Sequence, residues 1–265
     1  MNSLRRHLAV LRASTRLSLL IAMQYRWEFM LDGFFSLFWT ATAVIPLWFV
    51  FEEREVIAGW RYGEALLVIG WFTVLQGLLK GAINPSLTTV IEQIRTGTLD
   101  FVLLKPADAQ FLVSTARFRP WQLTALVGAG AVFGYGFWIL ERSPTLSGVL
   151  QSLVMLGAAV ITLYSVWILV ICVAFRAVRV DNLRYLFEAV FEAGRWPSTV
   201  FKGLLSFLFT FVIPLALMTT YPAEALMERL PLERFVGGWA GALAFALFAR
   251  FVWSRSIASY TSASS

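Results

Sequence analysis

Six apolar stretches, each close to the ~20 residues a helix needs to cross a hydrocarbon layer, divide this 265-residue chain and leave little room for a soluble fold. They cover 29–51, 65–83, 120–140, 149–175, 203–221 and 235–253. Lipid offers no water to unpaired backbone groups, so such segments are expected as helices that close their own hydrogen bonds. The fourth is long enough to tilt or to extend past the bilayer. Charged residues make up only 14% of the chain, against about 25% in soluble domains. The expected fold class is all-α: a polytopic membrane protein with six transmembrane helices, an N-terminal interfacial amphipathic helix over 1–28, and a short tail over 254–265.

Lys and Arg set the orientation, because they collect on the cytoplasmic side. With the N-terminus inside, only Arg54, Arg61, Arg142, Arg229 and Arg234 of the 22 fall outside, and the outer segments are acidic at Glu52, Glu53, Glu55, Glu64, Glu224, Glu228 and Glu233. An even number of spans then returns the C-terminus to the cytoplasm of a cell inner (plasma) membrane. The net charge of +6 is scattered between spans rather than gathered on one soluble face, so the bilayer and not nucleic acid is the expected partner. No cleavable signal peptide is expected, since Arg5, Arg6, Arg12, Arg16 and Arg26 interrupt the first 27 residues. Leu4, Leu8 and Leu11 share one helical strip there, beside Arg5, Arg12 and Arg16, which suits a helix lying on the inner surface.

Two loops on the inner side, 84–119 and 176–202, carry amphipathic helices. Asn84 and Pro85 read as a helix start and Gly97 as its stop. Between them Leu87, Val90, Ile91 and Ile94 form one apolar stripe. Residues Thr98 to Pro106 follow as a short apolar piece, too short to cross and expected as a second brief helix. In the other loop Asp181 and Asn182 are placed to cap a helix ending near Gly194, with Leu183, Phe187, Val190 and Phe191 on one face and Arg184 and Glu188 spaced to pair on another. Stripes of this kind need a cover, whether the membrane face, the spans or another protein.

At these residues the chain resembles the membrane subunit of a type 2 ATP-binding-cassette exporter. Ile94, Gly97, Leu99, Asp100, Leu103 and Pro106 match that family's I-x-x-G-x-L-D-x-x-L-x-x-P pattern after the second span. Pro214 with Tyr221 and Pro222 gives a second match, and the likeness covers nearly the whole chain. The resemblance implies that Glu92, Arg95, Gly97, Thr98, Leu99, Asp100, Leu103 and Pro106 form a coupling helix seated on a separate ATPase. It implies a second coupling helix through Leu183, Arg184, Phe187 and Glu188, and a gate at Pro214, Tyr221 and Pro222. The partners it implies are two ATP-binding subunits and a second permease, identical or related, with ATP and Mg held by the ATPase and no cofactor held by this chain. Export is the direction it implies. The family often has Glu where Asp100 stands, and here its outer hairpin shrinks to Pro222–Arg234.

The residues themselves exclude several chemistries. No G-x-x-x-x-G-K-[ST], H-E-x-x-H or C-x-x-C occurs, and the single histidine (His7) and cysteine (Cys172) build no catalytic cluster, so an intramembrane enzyme is not expected. Spans two to six have no Asp or Glu in their interiors, Asp32 and Lys80 read as boundary residues, and proton-coupled carriage is disfavoured. A secondary transporter using carbonyl sites and a membrane assembly or scaffold protein stay open as alternatives. Gln76, Asn84, Thr162, Tyr164, Ser165, Trp71 and Trp167 are candidates either for lining a path or for packing. Pro214 is expected to bend span five. Gly130 with Gly134, and Gly237 with Gly241, are small pairs that allow close helix contact. The cargo is open among lipids, drugs, peptides and glycans.

Overall fold

In the computed structural model, residues 3–24, 26–175 and 181–260 are described, without side chains at 3–9, 21–24, 26–30, 32 and 181–184. Expectations for Leu4, Arg5, His7, Leu8, Asp32, Asp181, Asn182, Leu183 and Arg184 as side chains lie outside the described residues. Among the described residues the fold is all-α apart from one small hairpin. Helix α1 (Ser3–Gln24) carries exposed Arg12 and Arg16, and α2 is Arg26–Glu52. Strands β1 (Val56–Ile57) and β2 (Trp60–Arg61) pair antiparallel across a tight turn at Ala58 and Gly59, both with positive φ. Then come α3 (Tyr62–Leu78), α4 (Asn84–Thr96), α5 (Asp100–Leu103), α6 (Ala109–Ser114), α7 (Thr124–Ile139) and α8 (Leu146–Ala174). The series ends with α9 (Asp181–Phe191), α10 (Leu204–Phe207), α11 (Tyr221–Leu226) and α12 (Leu232–Ala258).

Among the described residues five helices are long and apolar enough to cross a membrane: Gly33–Glu52, Tyr62–Thr96, Pro120–Ile139, Leu146–Ala174 and Leu232–Ala258. A sixth candidate is a pair, Leu204–Val212 with Ala216–Leu226, bent by 68° where Pro214 interrupts it. The second and fourth helices form the centre, with 72% and 56% of their most apolar windows buried, whereas the first and last, at 11% and 17%, line the periphery.

Glycine sets how closely α3 and α7 approach. Gly63, Gly70 and Gly77 recur every seven residues on one face of α3. A Cβ at each would stand 2.7 Å from Leu140, 2.5 Å from Phe133 and 2.8 Å from Ala125. These antiparallel helices therefore pack almost backbone to backbone, the geometry that small residues permit where lipid supplies no hydrophobic drive. The small pairs noted in the sequence behave differently: a Cβ added at Gly130, Gly134, Gly237 or Gly241 would meet nothing within 4 Å.

Asn84 opens α4 with Pro85 in its first turn, but the chain before it is already helical. Span two runs unbroken from Tyr62 to Thr96, and Asn84 has helical φ and ψ of −60° and −43°. A π turn at Leu79–Ile83 absorbs the proline. Pro85 brings no N–H to the Gly81 carbonyl four residues earlier, and the Arg119 N–H donates to that oxygen instead at 2.7 Å. The segment after Asn84 is thus continuous with span two, not a separate helix hung on a loop.

After α9 begins, the chain over 188–199 lies along span two. Glu188 accepts from Asn84 Nδ2 at 3.2 Å, Glu192 accepts from Gln76 Nε2 at 2.9 Å, and Arg195 lies 5.5 Å from the Phe72 ring. Trp196 packs beside Ala65, Leu66 and Ile69, and Trp60 Nε1 donates to Thr199 Oγ1 at 3.0 Å. From Asn84 back to Tyr62 the helical run covers about 33 Å at ~1.5 Å per residue, comparable with a hydrocarbon core of ~30 Å. The segment therefore threads along span two from the α4 end to the hairpin end, through 3-10 turns at Glu192–Arg195 and Ser198–Val200. With Cys172 replaced by Ser, Thr199→Cys is expected to react with an impermeant thiol reagent from the side that labels Glu53→Cys and opposite to Thr98→Cys. Labelling from the Thr98 side removes the threading.

Candidate functional site

The α4 end carries a folded unit rather than a loose lever. Gly97, at φ 74° and ψ 0°, terminates α4 in the left-handed conformation that glycine adopts without penalty. The reversal drops Leu99 into the interior, fully buried with Leu87, Val90 and Val113 against α8. Leu103, Val102 and Ile94 pack on the same cluster, so the apolar stripe of α4 is covered by the chain's own spans.

Ser86 clamps the return strand. Fully buried, its Oγ donates to the Arg117 carbonyl at 2.5 Å and accepts the Arg117 N–H at 3.0 Å. Ser86→Ala strands both groups and is expected to cost about 1–3 kcal/mol, visible as a lower melting temperature in detergent. Asp108 caps α6 through the Phe111 N–H and pairs with Arg250 of α12 at 2.6 Å. Arg250 also donates to Gln110, whose Nε2 donates to Tyr164 of α8, and Tyr164 bonds Ser114 at 2.6 Å. At the end of α12, burial raises the Tyr260 phenol above its usual range and the Asp100 charge adds to the rise. Two other spans, α8 and α12, are thereby tied to the unit between Asn84 and Ser114.

What this unit offers outward differs from the pattern-derived set. Leu99 is inside, Leu103 is half-buried, and Gly97 and Asp100 are partly exposed. Glu92 and Arg95 form a salt bridge of 2.7 Å with both side chains more than half exposed, and Thr98 and Pro106 are exposed. The largest outward apolar groups are Phe101 at 69% and Leu104 at 80% exposure, one helical turn apart at the tip. The family pattern includes neither, although both lie in the short apolar piece from Thr98 to Pro106. The signal was present in the spacing, since Phe101 and Leu104 alternate with Leu99, Val102 and Leu103 around one short turn.

On α9, Phe187 is buried, its ring 4.7 Å from Trp167, and Glu188 faces Asn84. These two residues point into the bundle, while Tyr185 and Leu186 are exposed. Of the path candidates, Gln76 and Asn84 line a cleft of about 400 Å³ that opens at the α4 end. Thr162 and Ser165 bond their own helix carbonyls, Tyr164 joins the Asp108 network, and Trp71 and Trp167 pack in the core.

At the opposite end, buried carboxylates close the bundle. Glu64 pairs with Arg229 at 2.8 Å and caps α3 through the Arg61 N–H, while Glu224 pairs with Arg234 at 2.7 Å. The Pro222 carbonyl accepts from buried Ser152 Oγ at 2.6 Å, and Tyr221 packs beside Leu217 and Trp239. Pro214 sits in the break itself, buried, at mid-bundle rather than beside Tyr221 and Pro222. The gate set is therefore split between two levels of the structure.

Among the described residues no group of His, Cys, Asp and Glu is arranged to hold a metal. Residues 37–264 match the family described as ABC-2 family transporter protein. No curated protein and no solved structure matches the chain.

Proposed function

This chain belongs to the ABC-2 family of transporter proteins, and we propose that it is the membrane subunit of an exporter driven by a separate ATPase. Membrane subunits of this kind are non-catalytic alone and work with ATPase partners. The observation that carries the finer reading is the tip at Phe101 and Leu104. Two large apolar side chains stand in the open there, on a unit that also exposes the Glu92 and Arg95 pair and is built into the end of span two. Exposed apolar groups at a rigid end, where a soluble partner can reach them, mark an interaction site.

In this reading the two nucleotide-binding subunits close on ATP and Mg and push the tip. A pair of permeases, identical or related, encloses the path. The push passes through Leu99 and Leu103 into span two, and through Asp108 and Arg250 into span six. Differential affinity of the two conformations for ATP supplies the drive. Asp100 and Thr98 sit at the rim of the contact, and α9 contributes Tyr185 and Leu186 in place of Phe187 and Glu188 from the set Leu183, Arg184, Phe187 and Glu188 that the resemblance implies. Opening at the far end requires the Glu64 to Arg229 and Glu224 to Arg234 pairs to part. Both termini lie on the cytoplasmic side, with the α4 end.

The test is to purify the tagged chain with its native partners. A nucleotide-binding subunit whose ATP hydrolysis depends on this chain is the expected result. Transport by the isolated chain without any such subunit favours a secondary transporter and removes the proposal.

A further inference from the structure

The cleft at the α4 end does not stop at its mouth. It shares Gln76, Lys80 and Glu192 with a second cavity of about 460 Å³, which reaches span one at Trp39, Thr40 and Thr42. A polar passage thus runs from the α4 end to the middle of span two, and its outer wall is the least buried helix of the bundle. Polar and ionisable groups at this depth are costly in lipid and are kept where they serve a path.

The chemistry of the lining is specific about what it accepts. Its carboxylates are already engaged: Glu192 accepts from Gln76 and is paired with Arg195, and Glu188 accepts from Asn84. Donors remain. Arg195 Nε is buried with no hydrogen-bond partner among the described residues, and Arg119 is exposed at the mouth. One acceptor, Asn84 Oδ1, is also buried and unpaired among the described residues. An oxyanion answers Arg119 in the first cavity and Arg195 in the second, and a hydroxyl or amine on the same head answers Asn84. Trp39, 64% exposed, supplies an apolar ledge on the lipid side.

We infer that this cleft takes the acidic, hydroxyl- or amine-bearing head of an amphiphile from the adjoining leaflet, with its apolar chain lying along span one. The inference rests on the transport reading for its meaning as cargo. The site itself is defined by Arg119, Arg195, Asn84 and Trp39. A soluble anion matches the arginines but leaves the Trp39 side unused.

The experiment uses the full chain in nanodiscs of equal phosphatidylglycerol and phosphatidylcholine, with the lipids retained after mild extraction counted by native mass spectrometry. Wild type is expected to keep phosphatidylglycerol over phosphatidylcholine, with the ratio falling about tenfold in Arg195→Gln and Arg119→Gln, the scale of one lost charge-assisted contact. Arg119 contributes to the fold through its backbone N–H, so Arg119→Gln keeps the test valid even where Arg195→Gln fails to fold. Inorganic phosphate in excess is expected not to displace the lipid. No preference in wild type, an unchanged ratio in Arg119→Gln, or displacement by phosphate each overturns the inference. Lipid retention is read without nucleotide, so its outcome is separate from whether an ATPase subunit binds.

Discussion

Replacing Phe101 and Leu104 together by glutamate is expected to release the ATPase subunit while leaving the membrane domain folded. Both side chains are mostly exposed and make up the apolar tip, so their loss removes little from the chain's own core. At a protein interface, however, central apolar anchors cost at least ~2 kcal/mol each when lost, which is about thirtyfold in affinity. Co-purification and ATP hydrolysis should both fall by at least that factor. The informative control is Leu99→Ala. Leu99 is fully buried, so truncation there is expected to cost about 2–5 kcal/mol of stability and to lower the melting temperature along with coupling. A Phe101 and Leu104 variant that keeps normal ATPase binding would remove the tip from the contact.

Gly77→Leu is expected to prevent accumulation of folded protein. A single Cβ at Gly77 already meets Ala125 Cβ at 2.8 Å and the Gln122 carbonyl at 3.3 Å, and neither neighbour has a flexible end that can swing away. Gly77→Ala should cost about 1–3 kcal/mol, the usual range for overpacking. Combining it with Ala125→Gly moves the methyl group from one helix to the other and should recover most of the melting temperature. Gly130→Ala and Gly237→Ala provide the contrast. Both positions face open space, so alanine there should be neutral or slightly stabilising, because glycine is the poorer helix former by up to ~1 kcal/mol. Fluorescence-detected size exclusion across these variants reads the whole series. Equal loss at Gly130 and Gly77 would contradict the α3 to α7 packing.

The two glycine sets show where sequence patterns lose their grip. Gly130 with Gly134 and Gly63 with Gly70 and Gly77 are all small residues at helical spacing. Spacing places each set on one face but says nothing of which face meets a neighbour. The same limit applies to the coupling segment. The pattern I-x-x-G-x-L-D-x-x-L-x-x-P marked the reversal at Gly97 and the short helix α5 after it. The pattern did not separate Leu99, which turns inward, from Phe101 and Leu104, which turn outward. In the same way Asn84 has a capping residue's chemistry, yet the π turn before it and the Arg119 N–H waiting for Gly81 let the helix continue.

What the sequence by itself determined is the membrane class, the helical content and the long spans. These follow from the cost of unpaired backbone in lipid, the length of apolar runs and the spread of Arg and Lys, all local quantities. Only the tertiary structure decided that the segment from Glu188 to Thr199 threads along span two, that Gln76 and Asn84 line a cleft while Thr162 and Ser165 satisfy themselves, and that Asp108 meets Arg250. Those outcomes depend on which distant groups satisfy each other's hydrogen bonds in a low-dielectric interior, and that pairing is set by three-dimensional proximity rather than by order along the chain.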